Sequence, residues 1–158
     1  MVRVSAADGT PAWVRTVTGT GVDSLAGVTV DLAGNVFVAG SFDGSAGLDG
    51  PGGVTVTGTS TTALLVTYTS AGAVRWVRTA GGTAVDQATD VAVDVAGNAR
   101  LVGSFNLTAT FGDASGTIAL TSAGSTDAFV ASYGAAEPAA PGSWAIAAAM
   151  RTGQAVLS

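Results

Sequence analysis

One segment of this chain is written twice. Trp13 to Phe42 reads WVRTVTGTGVDSLAGVTVDLAGNVFVAGSF, and Trp76 to Phe105, 63 residues on, reads WVRTAGGTAVDQATDVAVDVAGNARLVGSF; 17 of the 30 positions are identical, without a gap. Self-similarity at a period of this length marks a repeat architecture, in which one unit cannot bury its apolar face alone and stacks on its neighbour. The rest of the unit repeats more loosely. Ala63 to Tyr68 (ALLVTY) corresponds to Ala128 to Tyr133 (AFVASY), now 65 residues apart, and Val4 to Gly9 resembles Thr69 to Gly72. The expected organisation is the end of a preceding unit over 1–12, a first unit over 13–75 and a second over 76–133. An Ala/Pro linker over 134–143 and the start of a truncated third unit, marked by Trp144, over 144–158 complete it.

Within a unit the apolar period is two. Val28 and Val30, and their counterparts Val91 and Val93, alternate with the small residues Thr29 and Ala92. Alternation with small rather than charged residues suits a strand covered on both faces. Asp31 to Asn35 (DLAGN) and Asp94 to Asn98 (DVAGN) read as hairpin loops. Asp accepts backbone N–H groups at the start of a turn, and Gly supplies a positive φ. Strands are expected to follow at 36–42 and 99–105, with others at 54–57, 63–69, 75–80, 118–121 and 128–133. A weak helical period occurs only at Trp144 to Met150. Asp43 to Gly53 (DGSAGLDGPGG) and Asn106 to Gly116 read as loops, which differ between units while the framework does not.

Charged residues make up 11% of the chain and hydrophobic residues 47%. Globular domains carry about 25% charged residues, so many segments here are expected to be buried on both sides. No apolar run approaches the roughly 18 residues of a membrane-spanning helix, which predicts no membrane insertion. The net charge is −5, and all six cations are scattered arginines, which argues against a nucleic-acid partner. Without Cys or His there is no thiol nucleophile, no thiolate metal site and none of the commonest general base. Met1 to Ser5 contains no apolar stretch of signal-peptide length.

Taken together, the spaced elements W-x-R-T-x-x-G, D-x-x-x-x-V-x-V-D-x-x-G-N, V-x-G-S-F and D-A-F-V-A resemble the bacterial β-propeller repeat (SBBP repeat) family over about residues 4–133. The resemblance implies an all-β fold of four-stranded antiparallel propeller blades, about two of them complete here. It also implies a place in a secreted or cell-surface bacterial protein, and it carries over no catalytic residue. Thr62 stands where the second unit has Asp127, and Arg100 interrupts an otherwise apolar strand where the first unit has Phe37. A propeller closes with about four to eight blades. A two-blade chain is therefore expected either to close a ring with copies of itself or to be part of a longer array.

The repeated acids Asp23 and Asp86, and Asp31 and Asp94, have two readings: paired carboxylates or calcium ligands, and turn capping. Recurrence on separate units favours capping, and Asp31-x-x-Gly34-Asn35 offers too few oxygens for a hard cation. Trp13, Trp76 and Trp144 are expected in the core rather than as stacking platforms. Arg15 and Arg78 are expected to serve nearby carbonyls or carboxylates. Arg100 has no counterpart and is read as a solvated edge position or a contact specific to one unit. No phosphate-binding or nucleophile-elbow motif occurs, and Asn106-Leu107-Thr108 matches the short glycosylation pattern. No catalytic, cofactor or metal residue is assigned. The leading expectation is a non-catalytic scaffold for a protein or carbohydrate ligand. The rivals are a propeller-type glycosidase or lyase, which would draw on the non-repeated acids Asp8, Asp43, Asp49, Asp90, Asp113 and Glu137, and a fragment without independent function.

Overall fold

The structure, a computed structural model, describes residues 2–4, 10–113 and 116–134. Asp8, Glu137, Trp144 and the expected linker beyond Gly134 lie outside the described residues, as does the weak helical period at 144–150. The described elements are all strands: β1 (Val2–Val4), β2 (Pro11–Val14), β3 (Val17–Gly19), β4 (Ser24–Val30), β5 (Val36–Leu48), β6 (Val54–Tyr68), β7 (Val74–Gly82), β8 (Gln87–Val93), β9 (Ala99–Asp113) and β10 (Gly116–Tyr133). β1 and β2 form a separate antiparallel pair, and the other eight share one antiparallel sheet that is not closed on itself.

Four consecutive strands, β4 to β7, pair in chain order as a meander. The second unit repeats the pattern with β8, β9 and β10. The registers coincide residue for residue. Val28 faces Val38 and Val30 faces Val36; 63 residues on, Val91 faces Leu101 and Val93 faces Ala99. Even the irregularity recurs, at Leu25/Gly27 and at Ala88/Asp90.

Both DxxGN hairpin loops form as expected. Asp31 Oδ1 accepts the N–H of Ala33 (2.9 Å) and of Asn35 (2.8 Å), and its Oδ2 accepts the Asn35 side-chain amide at 2.8 Å. Asp94 makes the same three bonds with Ala96 and Asn98. Gly34 and Gly97 supply φ of 78° and 82°, a region that costs other residues about 1–2 kcal/mol.

The two Gly-rich segments correct the sequence reading. Most of Asp43 to Gly53 and of Asn106 to Gly116 is strand rather than loop: β5 runs through to Leu48 and β9 through to Asp113, and in the first unit only 49–53 remain as the turn to β6. Each ladder turns a corner and pairing resumes beyond it: Asp43 faces Thr61 and Ser45 faces Thr57, so one residue of β5 stands opposite three of β6, and Asn106 faces Thr126 where Thr108 faces Thr121, so one residue of β9 stands opposite four of β10. Gly44 turns that corner with φ of 74°. Its repeat counterpart is Leu107, which takes φ of 55°. Ala46 and Leu48 beyond the bend are buried, so the extension is part of the core. The strands expected at 54–57 and 63–69 are likewise one, as are those at 118–121 and 128–133.

Two apolar cores result. Trp13, Val36, Val38, Phe42, Leu48, Leu64, Val66 and Tyr68 form the first, on one face of the β4–β7 meander. Phe37, Ala39, Ala63, Leu65 and Trp76, on the opposite face, join Leu101, Phe105, Phe111, Phe129 and Tyr133 of the second unit in a single cluster. The central strands of the first meander, β5 and β6, are thus buried on both faces, whereas the strands whose alternation with small residues predicts this are not: Val28 and Val30 of β4 are exposed, and β8 buries Val91 while Ala92 stays exposed. Nor is β9 buried on both faces: Ala99 and Leu101 are buried while Arg100 is exposed.

Candidate functional site

The two units are joined at the end of β7. From Val74 to Ala80 this strand pairs with β6, and from Thr79 to Gly82 it pairs with β9. Such a change of partner requires close backbone approach, and glycine permits it: a Cβ on Gly82 would lie 1.9 Å from the Thr108 carbonyl oxygen. Alongside, β6 bulges at residues 58–60, where the Thr62 hydroxyl donates to the Ser60 carbonyl at 2.9 Å. The Thr59 hydroxyl donates across to the Gly82 carbonyl. Between these walls lies an open cleft of about 550 Å³, lined by Thr57, Thr59, Thr62, Thr79 and Thr110 and by four glycines. Its surface offers hydroxyls and main-chain groups, with no charged or aromatic lining residue. That chemistry suits hydrogen bonding to a polyhydroxyl ligand or an extended peptide, and supplies no group that titrates near neutrality.

Asp86 braces the wall of this cleft. It is 1% exposed, and its carboxylate accepts the N–H of Gly82 (2.8 Å) and of Asn106 (3.1 Å). Burial pushes its pKa above the ordinary 3.8, against the opposing pull of those two N–H groups. Its counterpart Asp23 is only half-buried. The other repeated acids behave oppositely. The Asn98 side chain and N–H hold Asp94 below 3.8. At Asp31, burial raises the value but the bonds from Asn35 and Ala33 together outweigh it.

Trp13 and Trp76 are buried, at 9% and 6% exposure, and each stacks at a tilt on the tyrosine of its own unit, Trp13 on Tyr68 (5.9 Å) and Trp76 on Tyr133 (6.5 Å). Arg15 and Arg78 lie over these indole rings at 5.5 and 5.1 Å. Arg15 donates to the carbonyls of Gly72 and Val14, and Arg78 to that of Val77. Arg15 thereby ties the start of the first unit to the turn at Gly72 that precedes the second, and both arginines cover the indole of their own unit. Burial pushes the Tyr133 hydroxyl up to about 12, only partly opposed by Arg78.

Among the described residues the non-repeated acids do not converge. Asp49 accepts the Thr16 N–H, Asp90 accepts the Val91 N–H, and Asp43, on β5, faces Thr61 of β6. Among the described residues no group of three or more His, Cys, Asp or Glu is placed to hold a metal ion, and no helix is long and apolar enough to cross a membrane. Arg100 projects from the outer face of the second unit, 3.4 Å from Asp94. The threonine cleft was not legible in the sequence. Its residues read as ordinary strand positions, and only the bulge and the partner change of β7 bring them together.

No protein-family model matches the chain, and no curated protein matches it.

Proposed function

We propose that this chain is a non-catalytic repeat scaffold of the β-propeller type, with its units serving as blades and the threonine cleft as its ligand-binding surface. The observation that carries this reading is the face-to-face stacking of two units whose strand registers coincide at a 63-residue offset. Consecutive four-stranded meanders stacked in this way are how propellers are built. β4 and β8 pack closely against each other, as innermost strands of neighbouring blades do: a Cβ on Gly27 would lie 2.8 Å from the Asp90 Cα. A rigid frame that presents hydroxyl groups in an open cleft fits a carbohydrate or extended-peptide ligand. The resemblance to repeats of secreted and surface bacterial proteins supports an extracellular setting.

The test is binding of the full chain to glycan and peptide arrays, repeated with Thr110→Arg, which fills the cleft. Binding lost in T110R and kept in Asp31→Asn supports the cleft. Binding untouched by T110R, or turnover of a glycosidase substrate, would count against it.

A further inference from the structure

The two units stack in one sense only. The face carrying Phe37, Ala39, Ala63 and Leu65 meets the face carrying Ala88, Val91, Leu101 and Phe129. On the second unit, the positions equivalent to Phe37, Ala39, Ala63 and Leu65 are Arg100, Val102, Ala128 and Val130. They lie on the outer face, where Arg100, Ala128 and Val130 are exposed.

We infer that the second unit is a terminal cap, and that Asp90 and Arg100 bar another unit from its outer face. The inference rests on the reading of the units as stacked blades. At the observed junction, Gly27 lets the backbones of β4 and β8 approach until a Cβ would stand 2.5 Å from Asp90 Oδ1, which turns back to its own Val91 N–H, 2.8 Å from Asp90 Cα and 3.1 Å from Val91 N. Asp90 itself holds the Gly27 position of the second unit. A further unit at that distance would drive its backbone into the Asp90 side chain. Phe37 contributes an aromatic edge to the junction, 6.0 Å from the Trp76 ring. Arg100 in its place carries a guanidinium that stacking would strip of water, and its partner Asp94 sits at the exposed rim. A polar outer face on a terminal unit is how repeat arrays stop growing. At the opposite end β4 is open: Leu25, Val28 and Val30 are 41%, 59% and 59% exposed, whereas Ala88 and Val91, the counterparts of Leu25 and Val28, are 3% and 5% exposed inside the junction; Val38 and Leu64, the counterparts of Leu101 and Phe129, are buried in the first core.

The experiment is light scattering coupled to size exclusion on the full chain, on D90G/R100F, and on D90G/R100F carrying Val28→Asp. The cap predicts that D90G/R100F associates head to tail, with a mass that climbs with concentration, and that V28D returns it to the wild-type mass. It also predicts that Val130→Asp leaves the wild-type mass unchanged. A folded D90G/R100F with the wild-type mass would overturn the cap, as would a wild-type assembly that V130D dissociates. If the double variant fails to fold, the single variants Asp90→Gly and Arg100→Phe are read by the same criteria. A discrete ring of wild-type chains broken by V130D sinks the cap and leaves the scaffold reading intact, whereas failure of the binding arrays does the reverse.

Discussion

Gly27 and Asp90 occupy the same position in the two repeats, and they meet each other across the junction, with a Cβ on Gly27 falling 2.8 Å from the Asp90 Cα and 2.5 Å from its carboxylate. Neighbouring units therefore touch through equivalent residues, and sequence differences between repeats become differences between a filled face and an open one.

Gly27→Ala should destabilise the chain by about 1–3 kcal/mol, the usual penalty for overpacking, because behind the Asp90 carboxylate two of the obstructing atoms, Asp90 Cα and Val91 N, are backbone. Asp90→Ala should change stability by less than about 0.5 kcal/mol, as surface changes generally do. Urea denaturation of the two variants checks the asymmetry, and equal effects would contradict the close approach.

Leu107 takes the left-handed conformation that Gly44 takes in the first unit. Its side chain is 58% exposed and so contributes little burial. Leu107→Gly should therefore raise stability by about 1 kcal/mol, the strain of a non-glycine residue in this region. Gly44→Leu should lower it by a similar amount. Thermal melts of both variants give the comparison.

Asp86→Ala leaves two N–H groups at the cleft wall without their acceptor. Each such loss costs about 1–3 kcal/mol when buried, so the variant should lose about 2 kcal/mol or more. The pH dependence has a definite sign. The folded-state pKa is raised above 3.8 by burial, so the folded state binds the proton more tightly than the unfolded chain does. Stability from Asp86 is then complete below about pH 3.8 and declines as pH rises through the folded value. The gap in urea midpoint between wild type and D86A should widen from pH 7 to pH 4.

Asp94 gives the opposite slope. Its pKa is lowered by the Asn98 side chain and N–H, so its contribution is present above pH 3.8 and vanishes as pH falls through the depressed value. The midpoint gap between wild type and Asp94→Ala should narrow from pH 5 to pH 2. Asp31→Ala should follow the same course, since Asp31 is lowered by equivalent bonds.

Trp76 joins the units: Phe37 meets it from the first and Tyr133 from the second. Trp76→Ala should cost about 3–5 kcal/mol, as truncations of large aromatic core residues do. Both units should still melt together. Two separated transitions in calorimetry of the wild type would show that the junction does not couple them.

The sequence by itself determined the repeat, the period of two and the hairpin chemistry. Local rules suffice there: Asp31 and Asp94 cap their own loops through residues two and four positions on, and Gly34 and Gly97 need only their own φ. Only the tertiary structure decided that Asp43 to Leu48 is strand rather than loop. A glycine-rich stretch reads as flexible until a partner strand and a buried Leu48 hold it extended. It likewise decided that β7 leaves β6 for β9, which gathers Thr57, Thr59, Thr62, Thr79 and Thr110 around one cleft. Repeat identity marks Gly27 and Asp90 as equivalent positions, but not as neighbours. Their contact depends on how one sheet lies on the next, and no local pattern encodes that distance.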